Sequence, residues 1–146
     1  MASIRIETGL KTYDIENEEG VIIGQISFNP SDVNIIKRAD EASKNIENLL
    51  NESKNINFDE SKSNEEQFLK LLDDINSSIR KEINYIFDND SVSDIVFGSQ
   101  NVLNSLNGKT FVERFLEAFI PIIRKEFEKE QKKSQQRIDN YVKRVK

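Results

Sequence analysis

A chain of 146 residues with net charge −5, of which 36% are apolar and 32% charged, has the length for one domain with a modest core and not for two. It contains no cysteine and no histidine, which removes disulfides, thiolate metal sites, nucleophilic thiols and the usual neutral-pH general base. Zinc chemistry and Ser-His-Asp hydrolysis are excluded on the same inventory.

The first β-like segments are residues 3–15 (SIRIETGLKTYDI) and 21–28 (VIIGQISF). Ile4 and Ile6 alternate, Glu16, Asn17, Glu18, Glu19 and Gly20 form a polar turn, and Val21, Ile22 or Ile23, Ile26 and Phe28 resume the apolar pattern. This predicts an antiparallel hairpin or small sheet over 3–28. Two strands alone are marginal in water, so the hairpin must pack on helices or pair with another chain. Its free edge also offers a way to join copies by strand addition.

Pro30 ends the strand, and Ser31 or Asp32 supplies a cap for a helix over about 32–50. Ile35, Ala39, Ala42, Ile46 and Leu49 recur at spacings of four and three, a narrow seam for packing against one other helix. A polar connector follows at 51–57. Ser63 and Glu66 then fit a capping box. Phe68, Leu72, Ile75, Ile79, Ile83 and Ile86 line one face of a second helix over about 64–87, and an antiparallel pair is the simplest product.

Residues 88–94 (DNDSVSD) resemble the start of a calcium loop. However, Ser93 stands where the loop needs glycine, and Ser99 where it needs glutamate. A short capped helix over 91–97 is expected instead, with Ser91 and Asp94 as caps and Gly98 as its stop. Gly108-Lys109-Thr110 repeats the close of a phosphate-binding loop, yet Leu103 occupies the first glycine position and no apolar strand leads in. Asn107-Gly108 is expected to form a turn with positive φ, and Lys109-Thr110 to open a helix over about 109–127.

In that last helix Phe111, Phe115, Phe119 and Ile123 recur every four residues, with Val112, Leu116 and Ile120 beside them. So broad an apolar face belongs to a buried helix, and Phe115 and Phe119 are expected in the core. Pro121 should kink or divide it. Residues 128–146 then form a basic tail, helical or frayed. Residues 128–137 carry no apolar side chain, and Ile138, Tyr141, Val142 and Val145 make an isolated stripe, the candidate partner-binding residues.

Charge is uneven. Residues 124–146 hold nine Lys/Arg against four Asp/Glu, a net +5, which leaves −10 on residues 1–123. Acidic residues interrupt the basic run and only Tyr141 is placed to stack on a base, so nucleic-acid binding is disfavoured. Cations there also suit the end of a terminal helix. No run approaches a membrane span and no basic-then-apolar leader opens the chain, so a soluble cytoplasmic protein is expected. The fold expected is α+β and mostly α, with a small N-terminal hairpin packed on three to four helices as one domain over 1–127.

Asp94-Ile95-Val96-Phe97-Gly98, then Asn107-Gly108-Lys109, Phe111, Phe115-Leu116-Glu117-Ala118-Phe119 and Pro121 resemble the C-terminal half of the tail assembly chaperones of long-tailed phages and prophages of Gram-positive hosts. The β segment followed by helices is similar too. The resemblance implies a non-enzymatic protein of the bacterial host cytoplasm that coats the tape-measure protein and helps tail-tube subunits polymerise around it. It implies no cofactor, no metal and no catalytic residue, and a homo-oligomer is expected. The competing reading is an oligomeric structural or adaptor protein, such as a small tail or head–tail component or a helical regulatory adaptor. An enzyme is disfavoured, since paired acids such as Asp73-Asp74 point to different faces of a helix.

Overall fold

The computed structural model describes residues 1–55 and 65–145, with side chains as far as Arg144. Residues 56 and 57 of the polar connector, Ser63 of the expected capping box, and Lys146 lie outside the described residues. The chain is α+β and mostly helical, with an antiparallel two-stranded sheet at its N-terminal end.

Strands β1 (Lys11–Glu16) and β2 (Ile22–Phe28) pair from Lys11 opposite Phe28 to Ile15 opposite Gly24, with a shift in register at Ile15/Glu16. The inner face presents Tyr13, Ile15, Ile26 and Phe28, with Lys11 at its end, while Thr12, Asp14, Gln25 and Ser27 face water. Pairing begins at Lys11 and not at residue 3. Phe28 is the last residue of β2, and Pro30 turns the chain away toward the first helix, so residues 3–10 find no strand opposite them. Ile4 and Ile6 are exposed. One anchor holds this arm: Asn29 Nδ2 donates to Thr8 O at 3.1 Å.

Helix α1 (Val33–Lys54) starts at Asp32, whose carboxylate accepts from Asn34 N at 2.9 Å. It runs four residues past the expected end, to Lys54. Helix α2 (Glu65–Phe87) lies antiparallel to α1. Arg38 Nε donates to Ile86 O, Tyr85 Oη to Glu41 Oε2 and Asn45 Nδ2 to Glu82, so the numbers fall on one helix as they rise on the other. The hydrogen bond to the Glu41 carboxylate raises the Tyr85 phenol above its usual value. Between the helices Ile35, Ala39, Ala42 and Ile46 meet Ile75, Ile79, Ile83 and Ile86, all buried. The two alanines permit close approach of the backbones.

Helix α3 (Val92–Phe97) is one and a half turns long. Ser91 occupies its cap position but gives no side-chain cap, and Asp94 ion-pairs with Arg80 instead of capping. Two asparagines cap the turn in their place: Asn89 Oδ1 accepts from Ser91 N, and Asn84 Oδ1 from the buried Ser93 N at 2.8 Å. Arg80 ties the loop beyond α3 to α2. Its Nη1 reaches Asp94 Oδ1 at 3.0 Å, its Nη2 donates to Gly98 O at 2.8 Å and Gln100 O at 2.6 Å, and its Cζ lies 5.7 Å from the Phe97 ring centroid.

Strands β3 (Ser105–Leu106) and β4 (Lys109–Thr110) form a second, minimal hairpin. Asn107 and Gly108 have φ of 55° and 79°, so both central residues of this two-residue turn are left-handed, as a type I′ hairpin requires. Lys109 and Thr110 therefore belong to a strand. Helix α4 (Phe111–Val145) starts after them, two residues later than expected, and runs as one element through Pro121 to Val145. Proline here removes the bond to the carbonyl of Glu117, an exposed residue whose oxygen water can satisfy. Val112, Phe119 and Ile123 of α4 join Phe28, Phe87, Val96, Phe97 and Val102 in the core.

Candidate functional site

The GKT element holds no phosphate cradle. The amide of Phe111 donates to Asn104 O at 2.8 Å and that of Val112 to Val102 O at 3.1 Å. Glu113 N donates to Thr110 Oγ1, and Thr110 N donates back to Glu113 Oε1. That reciprocal pair is a capping box. The first-turn amides that would meet a phosphate are engaged, and Lys109 Nζ pairs with Glu117 Oε2 at 2.9 Å.

A hollow of 440 Å³ borders this turn, lined by Leu50, Leu72, Leu103, Gly108 and Thr110, but the larger one, with an aromatic lining, lies elsewhere. A two-stranded sheet is too narrow to cover a long helix, and the hairpin leaves part of α4 open along one side. The result is a cleft of 550 Å³ between the hairpin, α3 and the first three turns of α4. Its hairpin wall carries Tyr13, Ile15, Ile23, Ile26 and Phe28, and its helix wall Phe111, Phe115, Ala118, Phe119 and Ile122. The spacing of four along α4 brings the phenylalanines into one row, and the rings interlock. Phe115 stacks on Phe119 at 5.7 Å, Phe119 meets Phe28 edge-on at 5.5 Å, and Phe28 stacks on Tyr13 at 4.7 Å. Phe119 is buried as expected, whereas Phe115 is only half-buried because one side of its ring faces the cleft.

The rim is wet and charged. Ile23 and Ile122 are 48% and 36% exposed on opposite walls. Asp14, Glu16 and Glu18 line the mouth, with exposed Glu19 beside them. Asp14 accepts from Gln25 Nε2, while Glu16 and Glu18 have no cationic partner among the described residues. At the inner end the Arg114 guanidinium lies 4.9 Å from the Phe111 ring centroid and donates to Asn104 O, leaving its buried Nε without an acceptor.

The sequence-derived candidates sit far from this cleft. Ile138, Tyr141 and Val142 share one face of the last turns of α4 and are 48%, 69% and 44% exposed. Val145 closes the helix, and its side chain lies outside the described part. Glu126, which pairs with Lys11 at 3.5 Å, and Phe127 are the last partly covered residues, and from Glu128 to Arg144 every side chain is exposed. The tail is therefore a bare single helix about 27 Å long. Sequence reasoning assigned the phenylalanine row wholly to the core and so missed the cleft. The available signal was the width of that row set against a sheet of only two strands.

Among the described residues no group of three or more acidic side chains is placed to hold a metal ion, and no helix is long and apolar enough to cross a membrane. No protein-family model, curated protein or solved structure matches the chain.

Proposed function

We propose that this chain is a non-enzymatic assembly chaperone of the long-tailed phage kind, acting in the bacterial host cytoplasm as a homo-oligomer. It holds amphipathic helices of the tape-measure protein in the hairpin–α4 cleft and helps tail-tube subunits assemble around that protein. The observation that carries the reading is the cleft: an open, aromatic-floored groove with exposed isoleucines on both walls suits an amphipathic helix laid along it. The resemblance over residues 94–121 covers the helix wall of the same groove. The test is coexpression with the tape-measure protein and purification of the complex. Ala118→Arg and Ile122→Arg place charge on exposed positions of the helix wall and should release the client with the melting temperature unchanged. A client that stays bound to both variants, or one that is not solubilised by the wild type, overturns the reading.

The bare C-terminal helix favours a second reading, an oligomeric structural or adaptor component. A chaperone leaves the finished particle and a structural component stays in it. Purified virions carrying this chain in stoichiometric amount would decide for the second.

A further inference from the structure

We propose that the C-terminal helix of one copy of this chain docks its Ile138–Tyr141–Val142 stripe into the hairpin–α4 cleft of a second copy. The inference rests on reading the cleft as a helix acceptor and names the occupant it takes in the absence of client. The tail stripe and the cleft are both apolar and open to solvent, and their surroundings are opposite in net charge. The stripe is flanked by Arg137, Lys143 and Arg144 against one acid, Asp139, and the cleft by Asp14, Glu16 and Glu18 against one base, Arg114, which is turned onto the Phe111 ring and Asn104 O. Pairing two tails with each other would instead set like charges together, which costs association. The stripe also has a reason to find a partner. Among the described residues every side chain from Glu128 to Arg144 is exposed, so the stripe gains little burial within its own chain to offset the cost of ordering it.

Docking within one molecule is closed off by geometry. Ile122 at the cleft and Ile138 on the stripe are on the same uninterrupted helix, about 24 Å apart along its axis. The tail can reach only a neighbour's cleft. Such a contact is heterologous: each copy offers one tail and one cleft, so copies link head to tail into a ring or an open chain. A linear array of this kind matches a client that is itself long, and a client helix entering the cleft displaces the neighbour's tail.

The experiment measures mass in solution by sedimentation on the full chain. The wild type should self-associate, more strongly at low salt than at high salt. Glu16→Lys with Glu18→Lys, and separately Lys143→Glu with Arg144→Glu, should each weaken association by about tenfold. All four changes are at exposed positions, and combining them in one chain should restore it. Next, a tail-disabled chain (Ile138→Glu, Tyr141→Glu) is mixed with a cleft-disabled one (Ile23→Arg, Ile122→Arg). Each alone should be monomeric, and the mixture should stop at a one-to-one dimer built from one intact tail and one intact cleft. A wild type that stays monomeric, a tail-disabled chain that still self-associates, or a mixture that gives no dimer overturns the inference. If the wild type is monomeric yet retains the tape-measure protein, the chaperone reading stands alone. If it assembles by this route and retains no client, only the self-docking stands.

Discussion

Phe119 and Phe115 are one turn apart on α4, carry the same side chain and differ in what surrounds it. Phe119 is 4% exposed and is enclosed by Phe87 at 4.8 Å, Phe28 at 5.5 Å and Phe115 at 5.7 Å. Truncation to alanine removes a ring that is buried although it borders the cleft, and strips three aromatic contacts, which costs about 3–5 kcal/mol. Phe115 also touches Phe97 at 5.8 Å and Phe87 at 6.3 Å, but its other side already faces the cleft. Less area returns to water on truncation, and the vacated space merges with an open groove that solvent fills. Phe115→Ala should therefore cost only about 1–2 kcal/mol. Urea unfolding at constant m separates the two. In melting temperature the losses correspond to roughly 10–15 °C for Phe119→Ala and roughly 3–6 °C for Phe115→Ala. Equal losses would mean that Phe115 is core and the cleft closed in solution, which would remove the basis for helix docking there.

Arg80→Met keeps the aliphatic stem but removes charge-assisted bonds to Asp94, Gly98 and Gln100, and should cost about 2–4 kcal/mol; a loss below measurement by urea unfolding would mean that water replaces these contacts without penalty. Gly108→Val meets no steric obstacle, since nothing lies within 4 Å of an added Cβ, yet its φ of 79° is strained for a β-branched residue. The expected loss is about 1–2 kcal/mol, and an unchanged melting temperature would place the turn in another conformation. Lys109→Ala removes a half-exposed pair with Glu117 and should change stability by less than about 1 kcal/mol; nucleotide binding that the wild type has and this variant lacks would overturn the capping-box assignment of the GKT element.

Legibility from sequence followed the range of the interactions. The α1 and α2 seams were readable because each apolar position repeats along one helix and the partner face repeats in step. The Asn107-Gly108 turn was readable because the residue pair itself demands left-handed backbone. Features that depend on a partner elsewhere in the chain were not, even where that partner is only a few residues away. Residues 3–10 alternate like a strand, but pairing requires an opposing strand, and Pro30 removes it. Lys109 and Thr110 look like a helix start until Ser105 and Leu106 are placed opposite them. Arg80 is one charged residue on a helix, and nothing local says that its three acceptors lie 14 to 20 residues ahead. The cleft belongs to the same group, since it arises from what the hairpin fails to cover.

The cleft wall depends on how closely the hairpin sits on α3, and one glycine sets that distance. A Cβ added at Gly24 would lie 2.5 Å from Ile95 Cγ2 and 3.6 Å from Ile95 O. Ile95 is β-branched and helical, so χ1 has one strongly preferred rotamer and the methyl has little freedom to withdraw. Gly24→Ala must then lift β2 off α3 or strain Ile95, either of which costs about 1–3 kcal/mol. The clash has one partner, so it should be relieved by removing that partner. In an Ile95→Ala background the cost of Gly24→Ala should fall to near zero, a coupling within the range for residues in contact, about 0.5–3 kcal/mol. Urea unfolding of the four chains of the cycle measures it. A Gly24→Ala cost that is the same in both backgrounds would mean that the hairpin does not rest on α3 at this point. The cleft wall would then have to be held by Ile26 and Phe28 alone, and its width would no longer be set by this contact.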